Sequence, residues 1–99
     1  MGSMPISNDT SQSVVLVDCI DTACTSGYNS EKLAAGRATD WQYEMCSGFS
    51  VGVTDPEGLL RGCLVMPVGE PPDIKRLAVS RATPCSTRTG VHVKIENPF

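Results

Sequence analysis

The chain has 99 residues, of which 40% are hydrophobic and 19% charged, and carries a net charge of −3. That length supports one domain with a single modest core, and the apolar fraction sets it apart from disordered chains. The acidic balance argues against a sequence-independent grip on nucleic acid, and no apolar run reaches the roughly 18 residues of a membrane-spanning helix, so neither nucleic acid nor membrane is expected as a partner.

Residues 1–12 are polar and read as a flexible arm. Its first four residues, Met1-Gly2-Ser3-Met4, resemble an expression scar, which leaves room for a removed native leader. Residues 13–20 hold four consecutive apolar residues, Val14 to Val17, the mark of a central strand flanked on both sides. A polar loop follows over 21–29. Residues 30–44 predict a helix: Ala34, Ala38, Trp41 and Met45 share a face at helical spacing, with Asn29 or Ser30 as cap and Gly36 as its weak point.

Residues 49–66 predict a β-hairpin. Phe49, Val51 and Val53 alternate with Ser50, Gly52 and Thr54, and Asp55-Pro56-Glu57-Gly58 is turn chemistry. A turn centred on Pro56-Glu57 pairs Val53 with Leu60, Val51 with Gly62 and Phe49 with Leu64, so Cys63 falls opposite Ser50. A second helix opens at Pro72-Asp73 and stops at Pro84, with Ile74, Leu77, Ala78 and Ala82 on one side. A last strand over 87–96 alternates Val91, Val93 and Ile95 with His92, Lys94 and Glu96, and 97–99 form a tail. The resulting order over 13–96 is β-α-β-β-α-β: an α+β, ferredoxin-like two-layer sandwich, with an antiparallel sheet of order 4-1-3-2 and both helices on one face.

Five cysteines punctuate the chain: Cys19, Cys24, Cys46, Cys63 and Cys85. None forms a CxxC pair and the single histidine is His92, so neither a metal site nor a cofactor is expected, and disulfides are the better reading. The hairpin register allows a Cys46–Cys63 bond and the sandwich topology brings Cys85 to Cys19 or Cys24; Cys46–Cys63 and Cys19–Cys85 close loops of about 17 and 66 residues, worth roughly 3 and 4 to 5 kcal/mol on chain-entropy grounds. Cys24 is then the free thiol, although Cys19 and Cys24 can exchange places. Asn8-Asp9-Thr10 matches a glycosylation sequon and supports a secreted origin. The register also turns Leu59 and Val65 away from the helices, where Leu16 and Ile20 can join them as an apolar partner face.

A chain of this size with cysteines in the first strand, near the end of the first helix, in the third strand and after the second helix (Cys19, Cys46, Cys63, Cys85) resembles the killer-toxin-like small secreted effectors of fungi, which share a fold with the virally encoded killer toxins of smut fungi. The resemblance covers 13–96 at the level of topology. It implies a secreted, disulfide-bonded, non-enzymatic virulence or toxin-like protein that binds a protein partner, either a host target or a second effector. Cys24 would then be available for an intermolecular contact.

No catalytic residue is expected. His92 lies on the solvated side of its strand, and Asp18 and Asp21 suit capping roles better than acid–base work. Trp41 and Met45 read as core. Arg61, Arg76, Arg81 and Arg88 are scattered, and Gly58, Gly62 and Gly69 build no phosphate loop. Two other readings compete. One is a cytosolic ferredoxin-like ligand-binding or regulatory domain with reduced thiols. The other is a three-finger ectodomain, suggested by Arg61-Gly62-Cys63-Leu64, which lacks that class's cysteine number.

Overall fold

The apolar run Val14 to Val17 forms a strand buried on both faces. In the computed structural model of the protein, which describes residues 2–19, 24, 26–43, 50–65, 77–85 and 92–96, eight strands build two sheets. They are β1 (Gly2–Ser7), β2 (Val14–Cys19), β3 (Ser26–Leu33), β4 (Ala38–Tyr43), β5 (Ser50–Thr54), β6 (Leu60–Val65), β7 (Leu77–Ala78) and β8 (Lys94–Glu96). The larger sheet runs β6-β5-β2-β3-β8 and the smaller β4-β1-β7. The β1–β7 and β3–β8 pairs are parallel and the others antiparallel.

Alternation along β2 sends successive side chains to opposite faces. Val14 and Leu16 point between the sheets, where they meet Leu33, Val51, Val53 and Leu64 of their own sheet and Ile6, Trp41 and Val79 from the other side. Val15, Val17 and Cys19 point the opposite way, into a second cluster with Cys24, Leu60, Cys63, Cys85 and Val93. Trp41 ties the two sheets together: its Nε1 donates to Asp18 Oδ1 at 2.6 Å. The Asp18 carboxylate thus satisfies a buried indole donor at the interface.

The α+β sandwich is overturned. Among the described residues there is no α-helix, only a 3₁₀ turn at Val79–Arg81. The segment expected as the first helix is the end of β3, a turn and β4. Of the residues read as one helical face, Ala34 and Ala38 are exposed around that turn, Trp41 is buried and Met45 lies outside the described residues. Gly36 takes a φ of 77° in the turn, closed by the Arg37 amide donating to the Ala34 carbonyl at 3.0 Å. This is the left-handed geometry glycine permits and a helix interior does not. Of the second expected helix, 77–83 hold β7 and the 3₁₀ turn, and the rest lies outside the described residues. The βαββαβ order on which the killer-toxin-like resemblance rested is therefore lost.

The supposed flexible arm is also structured. β1 is the central strand of the smaller sheet, pairing with β4 over six residues and with β7 over two, and Ile6 is fully buried. The hairpin is present, but its register differs from the expected one. Asp55 N donates to Leu59 O and Gly58 N to Asp55 O, both at 2.9 Å, so the loop extends to Leu59. A bulge at Val53/Thr54 then pairs Thr54 with Leu60, Val53 with Gly62 and Val51 with Leu64. Cys63 consequently lies opposite Gly52, not Ser50. The last strand is present as β8, but it joins β3 in parallel instead of lying beside β2.

The expected partner face does not form as a face. Leu16 is fully buried between the sheets, and Leu59 is half-buried and bridged to His92. Ile20 and the Val65 side chain lie outside the described residues. The physical reason is the second sheet, which covers the side that a helix-on-one-face sandwich would have left open.

Asn8 locks the link between β1 and β2. It is buried, its Nδ2 donates to the carbonyls of Gln12 at 2.8 Å and Leu33 at 2.9 Å, and its Oδ1 accepts from Thr10 N and Oγ1. Both Nδ2 donors are committed inside the fold, which removes the glycosylation reading of Asn8-Asp9-Thr10. Asn8→Asp, an isosteric change, would set a carboxylate oxygen against two carbonyls. We expect it to lower stability by about 2 kcal/mol or more, read from the midpoint of chemical denaturation.

Candidate functional site

The second cluster, on the face of the larger sheet turned away from the smaller one, is built around sulfur. β5 lies between β2 and β6, which places Cys19 at the end of β2 and Cys63 in β6 on either side of Gly52. Cys19 bonds to Cys24, with 4.8 Å between their Cα atoms, and Cys24 takes a left-handed φ of 54°. Cys63 bonds to Cys85, with a Cα separation of 5.1 Å. Its backbone also bridges Thr83 through hydrogen bonds of 2.7 and 3.0 Å, so Cys85 is delivered by a segment already laddered to β6. The Sγ atoms of Cys19, Cys24 and Cys63 all lie within 4.8 Å of one another.

Gly52 makes this packing possible. A Cβ there would sit 2.5 Å from Cys24 Sγ, closer than a real Cβ approaches, and a tight 3.2 Å from Cys19 Sγ. The strand is therefore bare where the Cys19–Cys24 bridge lies against it. Val17, Leu60 and Val93 close the surroundings, and the Val93 amide donates to the Gly58 carbonyl at 3.1 Å, carrying 92–93 across from the hairpin turn.

Two disulfides were expected, and two are present with different partners. Cys63 is bonded to Cys85 and not Cys46, and Cys19 to Cys24 and not Cys85. Cys24, expected as the free thiol, is fully buried and bonded. The error came from the topology: with no helix to carry Cys85 up beside β2, the 83–85 segment pairs with β6 instead. Cys46 is the fifth cysteine and lies outside the described residues.

The remaining polar groups serve the fold. Asp55 Oδ1 accepts the amides of Glu57 at 2.9 Å and Leu59 at 3.0 Å, and its Oδ2 lies 3.6 Å from Arg61. The Leu59 amide, above all, holds its carboxyl below the usual range. His92 is exposed beside this turn, and the four bonded cysteines offer it no thiolate. Of the other expected polar positions, Asp18 serves Trp41, while Asp21, Arg76, Arg88 and Gly69 lie outside the described residues. A cleft of about 360 Å³ opens between the 10–14 segment and Asp55, Arg61 and Val79, its one ion pair already engaged in the turn.

Asp9 is held below the ordinary carboxylate range because Ser80 donates to it through both its hydroxyl and its amide. Comparison of the chain with protein-family models, with curated proteins and with solved structures finds no match.

Sequence reasoning missed Gly52 and the pairing of Cys19 with Cys24. The available signal was local: a cysteine directly ahead of a polar loop, with a second five positions later.

Two outcomes follow from this geometry. The Cys63–Cys85 bridge spans 22 residues, so Cys63→Ser with Cys85→Ser should cost roughly 3 kcal/mol on chain-entropy grounds, measured by denaturant unfolding against the wild type. Because the Asp9 carboxyl is depressed in the fold, its contribution is present above the unfolded value, about 3.9, and is lost as pH falls through the lower folded value. The Ser80 amide resonance should therefore titrate with a midpoint below that of an unfolded aspartate.

Proposed function

We propose that this chain is a secreted, disulfide-stabilised interaction protein of the effector or toxin-like kind, acting on a host by binding another protein. The observation that carries the reading is the second core. In a 99-residue chain, the outer face of the main sheet is filled by two bridges with Val15, Val17, Leu60 and Val93, an arrangement that persists in an oxidising compartment and is rare in a reducing one. A small domain of this kind gains from cross-links what it lacks in buried apolar area.

The binding surface of this reading differs from the one first expected. Both faces of the β2–β5 region are occupied, which leaves loops and strand edges to meet a partner. Among the described residues no strand pairs with the outer edge of β8, where Ile95 is 44% exposed beside Lys94. An extended segment of a partner protein can add to such an edge by main-chain hydrogen bonding. Cys24 is bonded and takes no part in the contact.

The compartment is tested in the cells that make the protein, by trapping thiols with an alkylating reagent at the moment of lysis. Oxidised protein in the medium or the secretory lumen is the expected result. Protein confined to the cytosol, with all five cysteines alkylated, would overturn the reading.

A further inference from the structure

We propose that Cys19, Cys24, Cys63 and Cys85 form a structural zinc site when the protein is reduced. The inference stands on the geometry of the four sulfurs and does not depend on where the protein is secreted. Two disulfides can stabilise a domain from opposite ends, yet here they sit side by side, with three of the Sγ atoms within 4.8 Å of one another and the fourth bonded to one of these. In a tetrahedral zinc tetrathiolate with Zn–S of about 2.3 Å, the sulfurs lie about 3.8 Å apart. Breaking each S–S bond and letting the sulfurs relax toward that spacing is a local adjustment of side chains.

Two further features fit. Cys19 and Cys24 are separated by four residues, within the spacing of paired zinc ligands. Cys63 and Cys85 are distant in sequence, but the Cys63–Thr83 backbone bridge holds them together without help from the disulfide. Gly52 lets Cys24 Sγ and Cys19 Sγ lie against β5, where a Cβ would stand 2.5 and 3.2 Å from them. Val17, Leu60 and Val93 enclose the sulfurs, so the site is closed and has no open coordination position for catalysis.

The chemistry balances. Each disulfide accepts two electrons and two protons from a dithiol reductant, which leaves as its own disulfide, and four thiols result. Zinc(II) then takes four thiolates and releases up to four protons. An oxidant of the disulfide class reverses the sequence and expels the metal, so the same fold is held by covalent bonds in one redox environment and by a metal in the other.

The test uses the whole chain, reduced with a phosphine under nitrogen, freed of reductant and titrated with cobalt(II). One equivalent should give thiolate-to-cobalt charge transfer and the intense visible bands of a tetrahedral sulfur site, and zinc(II) should bleach them. Cys46→Ser should behave as wild type. Gly52→Val, which crowds the sulfurs, should weaken binding by about tenfold or more, and Cys63→Ser with Cys85→Ser should abolish the tetrahedral spectrum at one equivalent. If the reduced chain is unfolded before metal is added, cobalt(II) should restore the near-ultraviolet dichroism of Trp41. The proposal is overturned by the absence of a tetrahedral spectrum, by a chain that binds cobalt and stays unfolded, or by a loss in Cys46→Ser equal to that in the double variant Cys63→Ser with Cys85→Ser, which would mean indiscriminate chelation.

Discussion

The burial of β2 on both faces is the constraint from which the rest of the structure follows. Val14 and Leu16 require cover on one side, and Val15, Val17 and Cys19 on the other. A chain of this length has no second full core to offer. One side is met by the smaller sheet, held in place by the Trp41–Asp18 hydrogen bond and the buried Asn8 link. The other is met by the residues that carry Cys24 and Cys85, each bonded through sulfur to the larger sheet.

Seen this way, the disulfides act as core as much as cross-link. Cys24 and Cys85 are as buried as the aliphatic residues around them, and at Gly52 the absence of a side chain lets the Cys19–Cys24 sulfurs reach the sheet. The choice of sulfur where a larger protein would place leucine or phenylalanine ties the fold to its redox surroundings. The secreted reading and the zinc inference are two consequences of that dependence, one for oxidising and one for reducing conditions.

What could be read in the sequence was what local periodicity encodes. The alternation of Val51 and Val53 with Gly52 and Thr54, the Asp55-Pro56-Glu57-Gly58 turn and the doubly buried β2 all appear where residue pattern places them. The segment around Ala34, Ala38 and Trp41 failed because alanines four apart suit a helical face equally when they merely flank a turn. Gly36 and the Thr39-Asp40-Trp41-Gln42 alternation were the competing signals, and tertiary context decided for them. β1 was illegible for a different reason: Gly2 to Ser7 is short, holds a proline and only two large apolar residues, Met4 and Ile6, and its neighbours β4 and β7 come from far along the chain. Of the sulfur site, the cysteines themselves were legible. Their pairing was not, since connectivity depends on which strands are neighbours, and that was inferred from helices that are absent among the described residues.

The most direct measurement is peptide mapping of the oxidised protein, digested without reduction after free thiols have been blocked. The account predicts one linked peptide pair joining Cys63 to Cys85, a bridge between Cys19 and Cys24, and the blocking group on Cys46. A bond from Cys46 to Cys63, or from Cys19 to Cys85, would contradict it, because neither can coexist with sulfurs gathered over Gly52.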